Sequence, residues 1–263
     1  MTSFGPNSGR LELKYLIGER TATRIRSQLA PFCDEDENQS SNGAATRGYP
    51  VCSLYLDTPS LSFHRAKESG HAERFKLRVR GYAPGSGFWL EHKRRSNDLV
   101  HKSRARFYDQ PLEDAAHGRG KLLKDDDAAR RTAEGFAKRV CETGAAPTLL
   151  VRYDRQAFVS HVDSYARVTF DRNVEFQRTN RWTLEGDPFA WHGLQERVAA
   201  DLPRPLVILE IKCGLAVPTW LGNIVRSNEL RRRSVSKYSL GIYSTRRLRG
   251  HERLAERAGG VLC

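Results

Sequence analysis

The stretch RFKLRVRGY, residues 74–82, places Arg74, Lys76, Arg78 and Arg80 at every second position, with Phe75, Leu77 and Val79 between them. Successive side chains of a strand point to opposite faces, so this stretch reads as a strand with one cationic and one apolar face. A single strand of this kind is either a solvated outer face over a buried inner one, or a charged face directed at an anion. The other strands have to decide between the two.

The same design recurs along the chain. In RLELKYLIG, Arg10, Glu12 and Lys14 share one parity, and Leu11, Leu13 and Tyr15 the other. After a hairpin turn at 83–87, FWLEHKRRS sets Glu91, Lys93 and Arg95 against Leu90, and residues 98–106 add Lys102, Arg104 and Arg106. ARVTFD alternates Arg167, Thr169 and Asp171 with Val168 and Phe170, and PLVILEIKC, 205–213, sets Glu210 and Lys212 against Leu209 and Ile211. Strands are also predicted over 51–58 and 148–159. Apolar spacing predicts helices over 19–29, over 59–67 with Pro59 in the first turn, over 125–140 with a stripe of Ala129, Ala133, Phe136 and Val140, and from Pro218 to Leu230. Residues 34–48 read as a polar loop, and 172–204 as irregular apart from a short turn of helix near 191–199. Residues 1–9 read as a flexible leader and 247–263 as a tail, leaving 10–246 as one domain without a linker or internal repeat.

Amphipathic helices between such strands need an apolar surface to cover. A single sheet with helices on one face satisfies this. So does a closed antiparallel barrel with a charged lumen and helices outside, which also removes exposed sheet edges. Two details favour the lumen: acids and bases recur as ordered pairs (Glu12 with Lys14, Glu91 with Lys93, Glu210 with Lys212), and arginine, whose planar fork suits phosphate oxygens, dominates the charged positions.

The chain's 44 Lys and Arg against 31 Asp and Glu, a formal charge of +13, favour an anionic partner. No apolar run approaches the length of a membrane span and the N-terminus lacks the apolar core of a signal peptide, so the expected location is cytoplasmic. Cys33, Cys52, Cys141, Cys213 and Cys263 are scattered without CxxC spacing, which argues against a disulfide framework and a zinc site. No Walker A loop or histidine cluster is present. His64, His71, His92 and His101 are isolated and read as surface or packing residues.

ELKYLI, SLYLDT, RFKLRVRGY, LEHKRR, YDRQAF, ARVTFD, LEIKC and SVSKYSLGIY together resemble, in this order, the VTC-type polyphosphate polymerase domains of the triphosphate tunnel metalloenzymes, related to CYTH phosphatases. The resemblance implies an α+β fold, a closed eight-stranded antiparallel β-barrel with a basic lumen and helices outside. It implies transfer of the terminal phosphate of ATP to a growing polyphosphate chain, with divalent Mn²⁺ or Mg²⁺. By motif, Lys14, Arg78, Arg80, Lys93, Arg155, Arg167 and Lys237 match phosphate-handling residues. Lys102, Ser236 and Lys212 match further substrate contacts, and Glu210 resembles the metal-binding glutamate. CYTH hydrolases begin with two alternating glutamates before the lysine; Arg10 stands at the first of these positions, which suits the polymerase branch.

The expected partners are ATP and inorganic polyphosphate, triphosphate or pyrophosphate, with a membrane protein as a candidate for coupling to transport. A metal-dependent triphosphatase and a non-catalytic binding module for polyphosphate or nucleic acid are the alternatives. Specific nucleic-acid binding is disfavoured because the basic strands lack regularly exposed aromatic residues for base stacking.

Overall fold

The computed structural model describes residues 11–36, 48–82, 85–97, 99–163, 165–196 and 204–245. The expected leader and tail and Arg10 lie outside the described residues; of the turn of helix expected near 191–199, residues 191–196 are described and carry one 3₁₀ turn, Leu194–Glu196. The strands are β1 (Leu11–Gly18), β2 (Cys33–Glu35), β3 (Tyr49–Asp57), β4 (Glu73–Gly81), β5 (Phe88–Ser96), β6 (Leu99–Phe107), β7 (Ala146–Ser160), β8 (Ala166–Arg178), β9 (His192–Gly193) and β10 (Leu206–Cys213). The helices are α1 (Glu19–Leu29), α2 (Ser62–Glu68), α3 (Leu112–Ala116), α4 (Asp127–Thr143), α5 (Thr219–Ser227) and α6 (Lys237–Thr245).

The hydrogen-bonded order is β1-β10-β8-β7-β3-β4-β5-β6, with β2 added to β7 and β9 to β8. The eight expected strands are therefore present in one path. One correction applies: the path ends at β1 and β6, and among the described residues no ladder joins these two, so hydrogen bonding does not close the sheet. Charged side chains such as Lys102 and Arg104 line β6, a device that keeps a free edge from pairing with other chains. Among the described residues no helix is long and apolar enough to cross a membrane.

The described chain divides into two compact units. One is formed by Val51–Arg152 with Phe176–Trp191, the other by the described parts of Ser8–Pro50, Tyr153–Glu175 and His192–Cys263. In the first, the apolar parity of the strands is buried as the alternation requires: Leu77, Val79 and Leu90 are fully buried beside Leu54, Leu56, Phe88 and Phe107. The stripe of α4, Ala129, Ala133, Phe136 and Val140, packs into this core. Full burial of each Leu or Val side chain contributes about 1.5–3 kcal/mol. Asp126 caps α4 by accepting from the Ala129 N–H at 2.8 Å, and Gly144 ends it at φ +61°, the left-handed conformation glycine adopts without penalty.

Helix α2 begins three residues later than Pro59 suggests. The Asp57 carboxylate accepts from the N–H groups of Phe63 (2.9 Å) and His64 (3.0 Å), and Thr58 Oγ1 from that of Ser62 (2.9 Å), so the cap lies at the end of β3. In the second unit, Tyr15, Ile17, Val168, Phe170, Val207, Leu209 and Ile211 form the buried parity, covered by Ala22, Ile25 and Leu29 of α1 and Leu221 and Ile224 of α5. Strand β8 continues to Arg178, where the sequence reads as irregular after residue 171. Arg172 and Asn173 interrupt the apolar alternation. Asn173 takes a left-handed φ of +49° and donates to Asp154 at 2.7 Å, after which Val174 and Phe176 resume the buried face.

Candidate phosphate-handling site

In the first unit, the register turns the cationic parity into rows across three strands. Arg78 lies opposite Glu91, which lies opposite Arg104; Lys76 lies opposite Lys93, which lies opposite Lys102; Arg80 and Arg106 flank Trp89. Glu91 is the buried centre of this face. Arg78 Nε donates to its carboxylate, with Arg80 Nε at 3.7 Å and Lys102 Nζ at 3.4 Å. Burial alone would raise the Glu91 carboxyl, but Arg78, Arg80 and Lys102 outweigh it and hold the group well below the usual carboxylate range. Tyr55 Oη accepts from Arg78 Nη1 at 3.1 Å, and the Trp89 ring carries Arg104 at 4.7 Å and Arg106 at 5.6 Å. Lys76, Lys93 and Lys102 thus set like charges directly opposite each other across the three strands.

The second unit builds its charged face around two acids. Lys14 lies opposite Glu210, which lies opposite Thr169; Glu12 lies opposite Lys212, which lies opposite Arg167. Lys212 Nζ stands 3.2 Å, Arg155 Nη2 3.8 Å and Lys14 Nζ 4.0 Å from the Glu210 carboxylate, and Lys14 also contacts Glu12 at 2.6 Å. Burial would raise the Glu210 carboxyl; Lys212, Lys14, Arg155 and Lys237 together pull it well below the usual range, so it is anionic at neutral pH. Asp171, fully buried, binds the Arg155 fork through both oxygens (2.7 and 2.8 Å) and accepts from Lys237 Nζ at 2.5 Å. Arg167 pairs instead with Asp36 at 2.9 Å.

The residues expected from the motifs thus fall into two sets. Arg78, Arg80 and Lys102 meet at Glu91, with Lys93 in the adjacent row; Lys14, Arg155, Lys212 and Lys237 gather around Glu210 and Asp171. Ser236 precedes α6, its carbonyl accepting from the Leu240 N–H at 2.9 Å, and so places Lys237 as the first helical residue. Helix α5 stops at Ser227, short of the expected Leu230, and beyond it the Arg233 N–H donates to the Lys14 carbonyl at 2.8 Å. The pairs Glu12–Lys14 and Glu210–Lys212 form as their spacing predicts.

Sequence reasoning left four acids out of the site. Glu91, Asp171 and Glu12 lie on the charged parity of their strands, a signal that marks them. Asp36 lies in a stretch read as an acidic loop, where nothing distinguishes it from its neighbours. Tyr153 was also missed; its ring lies 5.2 Å from the Arg155 guanidinium and 4.6 Å from Lys237 Nζ.

No curated protein sequence matches the chain. Among solved structures, it is similar to the bh2851 protein of Bacillus halodurans (13% identity over 88% of this chain and 95% of that one, TM-score 0.47). It is also similar to HpAC1 of Hippeastrum, described as having a dominant triphosphatase activity (15% identity, 93% and 99% coverage, TM-score 0.45), and to PH1819 of Pyrococcus horikoshii (12% identity, 88% and 94% coverage, TM-score 0.42). The family model of the VTC domain matches residues 9–246, nearly the whole chain, and the protein therefore belongs to the VTC domain family.

Proposed function

We propose that the chain is an ATP-dependent polyphosphate polymerase, transferring the terminal phosphate of ATP to a phosphate or polyphosphate acceptor. The observation that carries this reading is the charged face of β4–β6, where Arg78, Arg80 and Lys102 meet the buried carboxylate of Glu91 and Lys76 and Lys93 occupy the neighbouring row. That excess of fixed positive charge suits a chain of phosphates, and membership of the VTC family supports the same substrate class.

In the transfer, an acceptor phosphate oxygen attacks the γ-phosphorus while the bond to the β,γ-bridging oxygen breaks, and ADP leaves with that electron pair. The transition state is loose and spreads negative charge over the peripheral oxygens, so preorganised cations supply most of the stabilisation. Strand-borne arginines and lysines held by buried carboxylates cost little reorganisation when the charge develops. The acceptor oxygen is already anionic at neutral pH, so a strong general base is unnecessary.

The family reading also implies a divalent cation. Among the described residues, no three or more His, Cys, Asp or Glu side chains converge on a metal position. Glu210 and Glu12, both in contact with Lys14, make a donor set of two carboxylates. This fits Mg²⁺ or Mn²⁺ held by one or two carboxylates, with phosphate oxygens and water completing the shell, and does not fit an all-protein cage. When bound, the metal would draw charge from the phosphate oxygens; Lys14 and Lys212 would keep the Glu210 carboxylate ionised to receive it.

The Glu12–Lys14–Glu210 grouping favours a second reading, a metal-dependent triphosphatase in which water replaces the phosphate acceptor. Incubation with ATP and Mn²⁺ separates the two. The polymerase yields long, phosphatase-sensitive polyphosphate together with ADP. Orthophosphate released from tripolyphosphate, without polymer, assigns the chain to the triphosphatases, and tight polyanion binding without any turnover leaves a binding module. Glu210→Gln is expected to abolish turnover with an unchanged circular dichroism spectrum; undiminished metal-dependent activity would refute the role of Glu210.

A further inference from the structure

Asp171 is more deeply placed than any other acid of the second unit's charged face, and neither its motif nor the reading above gives it a task. Its side chain is 0% exposed, and its two oxygens already accept three charge-assisted hydrogen bonds: Arg155 Nε at 2.7 Å, Arg155 Nη2 at 2.8 Å and Lys237 Nζ at 2.5 Å. A carboxylate so occupied is poorly placed to take a metal or meet a phosphate. The groups it holds come from separate elements, Arg155 from the middle of β7 and Lys237 from the first residue of α6. The Tyr153 ring lies beside both cations, at 5.2 Å and 4.6 Å.

Asp171 is the acid that pairs directly with both of these adjacent cations. The Arg155 fork also has a competing partner, because its Nη2 already stands 3.8 Å from Glu210. A guanidinium released from Asp171 can turn to a fork pair with Glu210 and neutralise one of the two carboxylates proposed to hold the metal. We propose that Asp171 is a positioning residue: it directs the charges of Arg155 and Lys237 toward the phosphates, keeps the Arg155 fork off Glu210, and does not itself touch substrate. This rests on the phosphate-handling reading of the site. Burial raises the Asp171 carboxyl, but Arg155 and Lys237 hold it down at about 2, so the anchor stays ionised across the working pH range.

A simple counter-charge predicts the opposite behaviour. Removing a negative charge beside an anion site should strengthen anion binding by Coulomb attraction, whereas removing an anchor should weaken it. The test uses the full chain as wild type, Asp171→Asn, Asp171→Glu, Lys237→Ala and the Asp171→Asn/Lys237→Ala double variant. Metal-free tripolyphosphate affinity is measured by calorimetry at fixed ionic strength, with circular dichroism as the check of folding and ATP turnover measured separately. Asp171→Asn is expected to weaken tripolyphosphate binding about 10-fold despite the gain in net positive charge. The same substitution in the Lys237→Ala background is expected to weaken binding at least 3-fold less than it does alone, the coupling that acting through Lys237 requires.

Asp171→Glu keeps the charge but displaces both cations by a methylene, and is expected to lose affinity as well; it decides the matter if Asp171→Asn does not fold. Unchanged or tighter binding in the folded Asn variant, additive effects in the cycle, or wild-type affinity in the Glu variant would each overturn the proposal. Wild-type binding without any nucleotide turnover would refute the polymerase while the cycle still decides Asp171. Absence of wild-type tripolyphosphate binding would overturn both.

Discussion

Glu91→Gln removes the charge at the centre of the β4–β6 face while keeping its shape. Its carboxylate is 6% exposed and meets Arg78, Arg80 at 3.7 Å and Lys102 at 3.4 Å, so the substitution leaves three cations without their shared counter-charge. Removing one partner of a buried ion pair costs about 3–5 kcal/mol. Arg78 and Lys102 are 23% and 47% exposed, and water replaces part of what they lose. The discounted cost is roughly 2–3 kcal/mol, or a fall in Tm of roughly 4–12 °C.

The pH dependence has a definite sign. Because the folded Glu91 carboxyl is held below its unfolded value, its contribution is present above the ordinary carboxyl range and is lost as pH falls through the folded value. The gap between wild type and variant in thermal unfolding should therefore be widest at neutral pH, begin to narrow below about pH 4, and go on narrowing as pH falls toward the depressed folded value. Tripolyphosphate should raise the Tm of the variant more than that of the wild type, since the anion takes the place of the missing carboxylate. A variant within 1 °C of wild type at pH 7, taking that as about the resolution of the assay, or a gap that widens on acidification, would refute the reasoning.

Two further substitutions test how the scaffold supports the second unit's face and the first unit's core. Gly48 has φ +89°, and a Cβ there would meet the Arg155 carbonyl oxygen at 2.3 Å; Gly48→Ala should cost about 2 kcal/mol or more in urea unfolding and weaken tripolyphosphate binding by shifting Arg155. Asp126→Ala removes the cap of α4 and should cost about 1 kcal/mol in the same assay, without changing tripolyphosphate affinity, because α4 packs on the apolar parity.

Local spacing was enough to read the eight strands of the main path, the stripe of α4, and the pairs Glu12–Lys14 and Glu210–Lys212, but not the short strands β2, at the start of the expected loop 34–48, and β9. Residues two apart on a strand share a face whatever the rest of the chain does, and residues four apart share a helix face. Strand β8 beyond Asp171 was not legible, because Arg172 and Asn173 break the alternation and only the burial of Val174 and Phe176 restores it. The start of α2 was misplaced because its cap, Asp57, belongs to the preceding strand. The capture of Lys237 by Asp171 and of Arg167 by Asp36, and the gathering of Arg78, Arg80 and Lys102 on Glu91, depend on register and on which elements pack side by side. The sequence by itself determined that this chain would build strands with one cationic face. Tertiary structure alone decided which buried acid holds each cation, because those partners are neighbours in space and not along the chain.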